Sequence, residues 1–338
     1  MGVARRRSGL AFMLIVALAL MTLSLPASVG AQAQDRYRIA FVPMLIGIPY
    51  FTAMEQGGKL AAERFGVEFV YTGDTEVSAM RQVQIIDNLI RQQFDAIAVA
   101  VVDSASINPV IRRGKQRGIV MLTSDSDSPT SDRDVFVAQA LDQDLGFLLI
   151  DRLALQIGGA GKIGIVSGES TATNLNSWIH YMQQRVAEAY PDIEIVDIRY
   201  TQGGSSEEAL RQALELMTRY PDLKGLVAVA STTIPGVAQA IQQAGKVGQV
   251  AMIGYGSPNT VRPYIKAGIM KESILWNPVD LGYLTVWAAI ELIEGRGFQE
   301  VNHVPGLEQP IRYFADQGIL LLGDPLIIDA GNVDDFDF

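Results

Sequence analysis

Short apolar runs alternate along the chain with longer segments in which apolar residues recur every three or four positions. The first pair is the run Arg38–Pro43 followed by helix-spaced apolar positions over 50–65, which end at Gly66. Brief apolar runs bounded by Pro or Gly predict buried strands, and the wider spacing predicts amphipathic helices. The pattern therefore begins with a strand, a loop and a helix.

The same unit recurs in two series. The first predicts strands at 67–71, 96–101, 119–123 and 135–137 and helices at 77–92, 106–116 and 142–157. The second begins with a strand at 162–167 and predicts further strands at 193–200, 225–229, 248–253 and 271–276 and helices at 173–189, 205–219, 233–243, 259–266 and 280–293. Strands that alternate with helices predict a parallel sheet covered on both faces.

Two such series predict an α/β protein with two Rossmann-like, doubly wound lobes. The expected boundaries are 34–139 plus 277–308 for the N-terminal lobe and 140–276 plus 309–338 for the C-terminal lobe. Short crossings near 139, 277 and 306–312 would form a three-crossing hinge. A hinge between two parallel sheets places a ligand cleft at the carboxyl ends of their strands.

The amino terminus has the pattern of a secretory signal peptide. Arg5–Arg7 precede an apolar run, Leu10–Leu25, and small residues follow to Ala33, which predicts a cleaved segment at 1–33. The apolar run is shorter than the roughly 20 residues that span a bilayer, so an uncleaved anchor is the alternative. We expect a periplasmic or otherwise extracytoplasmic mature protein.

Charge and composition narrow the possible partners. Removal of residues 1–33 takes away three Arg and no acid, so the net charge moves from 27 − 37 = −10 to 24 − 37 = −13. A chain with this negative charge is not expected to bind nucleic acids or anionic lipid headgroups, because like charges repel. The chain has 0 Cys, which excludes disulfides and thiolate metal sites.

No motif in the chain points to a cofactor, a metal or catalysis. Gly159–Gly164 matches the dinucleotide-binding pattern, but it precedes a predicted strand instead of following one, so a helix end and a turn are expected there. His180 and His303 lack the spacing of a zinc site. We therefore expect neither cofactor nor metal and no enzymatic activity, with a secreted hydrolase or isomerase as the alternative.

Four motifs carry a resemblance to a known family over residues 36–338. They are Ala40–Pro43 with Tyr50-Phe51, Leu122–Asp127, Asn174–Trp178, and Gly254–Tyr264 followed by Leu275-Trp276. In them the chain resembles the type I periplasmic sugar-binding proteins of ABC importers, in the autoinducer-2-binding and rhamnose-binding branch. The resemblance implies a Venus-flytrap fold, reversible capture of a sugar-like small ligand and an importer permease as membrane partner; we expect a monomer.

The sequence departs from the autoinducer-2 binders at three places. Met44 stands where they have Lys, Asn174-Leu175 where they have Asp-Gln, and Val229–Ser231 where they have Pro-Asp-Ala. Loss of the Lys and one Asp argues against autoinducer-2 as the ligand. An autoinducer-2 receptor, or a receptor that presents its ligand to a chemotaxis or sensor protein, stays the alternative function.

Asp125 is the leading candidate for a ligand contact. It follows the predicted strand 119–123, whose carboxyl end should face the cleft, and a carboxylate can accept bonds from two adjacent hydroxyls. The alternative role is a turn or helix-capping residue. Asp127 is a weaker candidate, since a second carboxylate so near more often solvates a loop.

Further candidates lie in the strand-end loops and at the first crossing. Tyr50 and Phe51 could stack on a sugar face, although one of them is expected in the core. The resemblance adds Met44, Asn174, Ser231 and Asn277, and the first crossing adds Gln139, each with a turn or cap role as the alternative. For Trp178 and Trp276 core packing or hinge support is favoured over stacking, and for Arg262 a salt bridge.

Overall fold

A computed structural model describes Met1 and residues 36–338, and residues 37–338 form one compact unit. The expected signal peptide at 1–33 lies, apart from Met1, outside the described residues. Within the described part of the chain, no helix has both the length and the apolar character needed to cross a membrane.

Strands and helices alternate through most of the unit. The strands are β1 (Arg38–Val42), β2 (Glu68–Tyr71), β3 (Ala96–Val99), β4 (Val120–Ser124), β5 (Phe136–Ala138), β6 (Gly161–Ser167), β7 (Ile193–Tyr200), β8 (Leu223–Ala228), β9 (Ala251–Gly254), β10 (Glu272–Leu275), β11 (Val301–Asn302), β12 (Ile311–Phe314), β13 (Ile319–Leu321) and β14 (Leu326–Asp329). The helices are α1 (Pro49–Phe65), α2 (Ala79–Arg91), α3 (Ser104–Gln116), α4 (Asp142–Ile157), α5 (Thr173–Ala189), α6 (Ser206–Arg219), α7 (Ile234–Gln243), α8 (Pro258–Lys266) and α9 (Pro278–Ile293).

Two sheets form the centres of two lobes. The first has the order β11-β12-β13-β5-β4-β3-β1-β2, in which β12 alone runs antiparallel to the other strands. The second has the parallel order β7-β6-β8-β9, and a bridge from Tyr255 to Ile274 extends it to the antiparallel pair β10 and β14. The predicted fold class, two α/β lobes with parallel sheets, is confirmed.

The chain changes lobes three times. It leaves the first lobe after β5, since the next helix, α4, packs on β9 and α5 of the second lobe. It returns after β10, since the next helix, α9, packs on α1 and β4 of the first lobe. The third crossing, expected near 306–312, lies instead after Leu322, whose backbone N–H still bonds to Ala138 of β5. The expected assignment of residues 309–321 to the C-terminal lobe is therefore wrong.

The physical reason is that β12 and β13 complete the first sheet. β13 pairs in parallel with β5, with Leu320 opposite Val137, and both residues are 0% exposed. Strands of three or four residues without an intervening helix give little periodicity, so the sequence pattern did not predict them. By contrast, α4, α5 and β7 have the predicted bounds, and the glycines at 158–161 end α4 and turn into β6 as expected.

Helices α1 and α9 are in close backbone contact, and this contact positions the strand-end loops of the first lobe. A Cβ on Gly57 of α1 would lie 1.8 Å from the carbonyl oxygen of Val279, and one on Gly282 of α9 would lie 2.0 Å from that of Met54. Only glycine permits this separation. Tyr50 lies in the first turn of α1, and Trp276 lies two residues before the start of α9. The packing of the two helices therefore fixes these aromatic residues relative to each other.

Substitution of either glycine by alanine should destabilise the fold. Gly57→Ala or Gly282→Ala requires the helices to separate, and overpacking of this kind costs about 1–3 kcal/mol or more. Gly323→Ala is the matched control, because a Cβ there meets nothing within 4 Å. Urea unfolding should show a lower midpoint for the first two variants only; an unchanged midpoint for both would contradict the close contact.

Candidate functional site

A cavity with about 710 Å³ of empty space, part of it open to solvent, lies between the carboxyl ends of the strands of the two sheets. The lining residues from the first lobe are Met44, Leu45, Ile48, Tyr50, Phe51, Val77, Val102 and Asp125. Those from the second lobe and the crossing are Gly168, Glu169, Ala172, Asn174, Leu175, Trp178, Gly204, Val229, Ala230, Ser231, Thr232, Tyr255, Leu275 and Trp276. The loops after β1, β3, β4, β6 and β8 all contribute, which is the position expected for a ligand site in such sheets.

The structure brings six of the nine sequence-predicted ligand residues to this cavity. They are Met44, Tyr50, Phe51, Asp125, Asn174 and Ser231. The first four come from the N-terminal lobe, and Asn174 at the start of α5 and Ser231 after β8 come from the other. A ligand in the cavity would therefore touch both lobes.

A chain of hydrogen bonds holds Asp125. The indole Nε1 of Trp276 donates to the hydroxyl of Tyr50 at 2.9 Å, and that hydroxyl donates to Oδ1 of Asp125. Asp125 has φ of 71°, in the left-handed region that few residues other than glycine adopt readily. Its backbone N–H bonds to Val137 at 3.2 Å. The carboxylate is thus held at the cavity by both side-chain and backbone contacts.

Burial controls the ionisation of Asp125. Removal from water raises the pKa of Asp125 from 3.8 to about 7, the hydrogen bond from Tyr50 opposes this rise, and the charge of Asp142 adds to it. A carboxyl group with this pKa changes charge near neutral pH. The site therefore favours a ligand that donates hydrogen bonds and stabilises the ionised carboxylate.

Aromatic rings form one wall of the cavity. The ring centroids of Trp178 and Tyr255 are 4.7 Å apart, and those of Trp178 and Trp276 are 5.8 Å apart. Trp178 also donates its indole N–H to Oδ1 of Asp142 at 2.8 Å. Both tryptophans are buried, as expected for core or hinge residues, yet they also line the cavity.

The sequence reasoning missed several lining residues. Tyr255 follows β9 and Glu169 lies two residues after β6, so both occupy strand-end loops. That position is the signal that could have identified them, as it identified Asp125. Trp276 follows β10 in the same way. Its position at the end of a strand indicates that it lines the cavity, whereas its apolar neighbours in the sequence indicate only that it is buried.

Asp127 does not line the cavity, so its prediction as a ligand residue needs correction. Its carboxylate accepts hydrogen bonds from Nε and Nη2 of Arg133 at 2.5 and 2.7 Å and from the hydroxyl of Thr123 at 2.5 Å. Arg133 also donates to the carbonyl of Gly318 at 3.1 Å. The pair thus ties the loop after β4 to the turn before β13.

Asn277 and Gln139 also lie away from the cavity lining. Asn277 caps α9, because its Oδ1 accepts from the backbone N–H of Val279 at 2.9 Å and from that of Asp280. Gln139 is 1% exposed at the first crossing, and its Oε1 has no partner among the described residues. A cap role was the stated alternative for both residues. Asn277 has that role, whereas the N-cap residue of α4 is Leu141 and not Gln139.

Arg262 forms the salt bridge expected of it. Its guanidinium pairs with Asp334 at 3.1 Å and donates to the carbonyl of Phe336 at 2.6 Å, which secures the C-terminal segment on α8. Within residues 36–338, no cluster of three or more His, Asp or Glu side chains could hold a metal ion.

Comparison with known proteins gives three informative matches. The sequence model of a family described as periplasmic binding protein domain matches residues 39–297. The D-ribose/D-allose-binding protein of Pseudomonas aeruginosa is 29% identical over 283 residues, which cover 79% of this chain and 84% of that protein. An ABC transporter solute-binding protein from Clostridium phytofermentas with bound L-rhamnose superposes with a TM-score of 0.83 at 28% identity, covering 89% of this chain and 98% of that one.

A further solved structure supports the fold alone. LsrB from Clostridium saccharobutylicum in complex with AI-2 superposes with a TM-score of 0.83 at 24% identity and covers 89% of this chain and 100% of that one. At this identity the similarity extends to the arrangement of helices and strands.

The raised pKa of Asp125 predicts a pH dependence of stability. Between the ordinary pKa of 3.8 and about 7, the folded protein keeps a proton on Asp125 that the unfolded chain releases. The contribution of this group to stability should therefore fall as pH rises through that window, by up to about 1.4 kcal/mol per pH unit, and then level off. Urea unfolding of the ligand-free protein near pH 5 and near pH 8 measures the change.

Asp125→Asn is the control for this measurement, because the amide has no proton to release. As the pH rises, the free energy of unfolding of the wild-type protein should fall relative to that of the variant. A difference that is the same at both pH values would show that Asp125 titrates normally.

Loss of Asp127 should affect stability and leave the cavity unchanged. The side chains of Asp127 and Arg133 are 11% and 8% exposed, so Asp127→Ala leaves a buried guanidinium without its carboxylate. The expected loss is about 3–5 kcal/mol in urea unfolding. Asp132→Ala is the control: its pair with Arg112 is 52% and 58% exposed, and its loss should cost at most about 1 kcal/mol.

Proposed function

The chain belongs to the periplasmic binding protein family, and from this premise we propose that it is the extracytoplasmic receptor of an ABC importer, which captures a sugar or sugar-like small polar ligand. The observation that carries the proposal is the cavity between the strand ends of two lobes, with the buried Asp125 on its wall. One relative is named as a binding protein for D-ribose and D-allose, and one similar structure is a solute-binding protein with bound L-rhamnose.

The geometry supports capture by closure of the lobes. Asp125 and Tyr50 come from one lobe and Asn174 and Ser231 from the other, so a ligand bound to one lobe gains contacts when the second approaches. A ligand with more contacts in the closed form shifts the population towards it. The hydroxyls of Ser104 and Thr173, at the starts of α3 and α5, lie 3.2 Å apart and join the two lobes in this structure.

The cavity is suited to binding and release without chemical change. Its polar side chains are positioned to form hydrogen bonds to hydroxyl groups, and Tyr50 already occupies one oxygen of Asp125. We propose a monomeric protein that is exported by a cleaved signal peptide, does not bind nucleic acid and delivers its ligand to a membrane permease. A permease or a sensor protein could each recognise the closed form.

Autoinducer-2 is disfavoured as the ligand by the cavity itself. Met44 lies on the wall at the place where the resemblance puts a Lys, and Ser231 lies on the opposite side. A thioether cannot donate a hydrogen bond as an ammonium group does. The proposal therefore keeps the sugar-receptor function and does not extend to this signal molecule.

Replacement of Asp125 should weaken ligand binding strongly. Isothermal titration against pentoses, hexoses, deoxysugars, polyols and autoinducer-2 should find one or a few tight ligands, without turnover of the bound compound. Asp125→Ala should then lower the affinity by about 1.5–3 kcal/mol, the contribution of a hydrogen bond to a charged group. Ligand at about 100 times its dissociation constant should stabilise the wild-type protein by about 2.7 kcal/mol in a thermal shift.

Asp316→Ala is the control, because it removes an exposed carboxylate from a turn far along the chain from the lining residues. Equal affinities of Asp125→Ala and wild type would remove Asp125 from the binding site. Failure of every compound to bind the folded protein would refute the sugar-receptor proposal.

A further inference from the structure

Three hydrogen-bond donors that line the cavity already bond to protein atoms, whereas the hydroxyl of Tyr255 has no partner among the described residues. The indole N–H groups of Trp276 and Trp178 and the hydroxyl of Tyr50 all donate to protein atoms. In contrast, Oδ1 of Asn174 is buried and has no partner among the described residues, and the residue is 8% exposed. An unpaired buried acceptor is unfavourable, so a ligand that donates a hydrogen bond to Asn174 would remove this cost.

The charge around the cavity has one sign. Asp125 lines it, and Asp142 accepts a hydrogen bond from the indole of Trp178. No Lys, Arg or His is among the described residues that line the cavity. A buried carboxylate without a cation is strongly unfavourable, and a cation could come from the ligand.

Aromatic residues surround these acceptors. Five aromatic side chains line the cavity: Tyr50, Phe51, Trp178, Tyr255 and Trp276. Tyr50 connects this group to the carboxylate, because its ring centroid lies 5.8 Å from that of Trp276 and its hydroxyl donates to Asp125. Aromatic rings attract cations through their π-electron faces, most strongly where water is excluded.

We propose that the ligand is a sugar or polyol that carries a protonated amine, with its ammonium group bound at Asp125 among the aromatic side chains. This inference rests on the proposed receptor function. An ammonium group donates three hydrogen bonds and accepts none, and its positive charge matches Asp125, which has no Lys, Arg or His beside it among the described lining residues. A hydroxyl group at the same place could also donate to Asp125, but it would leave the negative charge of the carboxylate uncompensated.

Isothermal titration with matched compounds tests the proposal. Suitable pairs are 1-amino-1-deoxyribitol with ribitol, 1-amino-1-deoxysorbitol with sorbitol, and 6-amino-6-deoxyglucose with glucose, near pH 7.5, where alkyl amines with a pKa of about 10 are protonated. At least one amine should bind about tenfold or more tightly than its neutral partner. The N-acetylated amine, which has lost its charge, should lose this advantage.

Asp125→Asn identifies the carboxylate as the source of the preference. The variant should reduce the ratio of amine to neutral affinity towards one, whereas Asp316→Asn, which removes an equal charge from an exposed position, should keep the wild-type ratio. A preserved ratio in folded Asp125→Asn, verified by circular dichroism, would overturn the assignment of the ammonium group to Asp125.

The outcomes separate this inference from the receptor function. If neutral sugars or polyols bind as tightly as the amines or more tightly, the amine proposal is wrong and the sugar receptor stands. If neither the pairs nor the wider sugar panel bind the folded protein, both proposals are wrong.

Discussion

The hydrogen-bond chain from Trp276 through Tyr50 to Asp125 is the interaction on which the site depends. It connects a residue at the second crossing, a residue at the start of α1 and a residue after β4, and so joins three separate parts of the chain at one point. Because Asp125 is 4% exposed, its carboxylate needs such a partner. The close contact of α1 and α9 supports the chain from outside, since it fixes the helix that carries Tyr50 against the helix that follows Trp276.

The two lobes contribute different chemistry to the cavity. The first lobe supplies the buried carboxylate together with apolar residues such as Met44 and Val102, and the second supplies amide and hydroxyl groups from Asn174 and Ser231. The indole of Trp178 and the ring of Tyr255 stand between them. Such a division suits a ligand with one donor-rich end and a hydroxylated remainder, since each lobe alone satisfies only part of it.

Most of the fold could be predicted because strands and helices alternate with strong periodicity up to α9. The remaining strands were missed because β11 has two residues and β13 three, too few to establish a period. Asp125 was found from its strand-end position, and Asn174 and Ser231 were found from the resemblance, which places them in strand-end loops. Asp127 was predicted wrongly because its partner Arg133 belongs to the following loop, and the sequence does not show which charged neighbours will pair.

The pattern of apolar residues in the sequence also did not show that the tryptophans line the cavity. Trp178 and Trp276 are 3% and 2% exposed, the same as ordinary core residues. An apolar periodic segment shows that a ring is removed from bulk water, but it cannot show whether protein or an enclosed cavity lies on the other side. Only the three-dimensional arrangement separates these cases.

Trp276 stands at the residue where the chain passes from the second sheet back to the first lobe. Its indole contacts Tyr50 on one side and Tyr255 and Trp178 on the other. Because Tyr50 belongs to the first lobe and Tyr255 and Trp178 to the second, a change in the relative position of the lobes would alter the surroundings of this ring. The crossing between the lobes and the wall of the cavity therefore share a side chain.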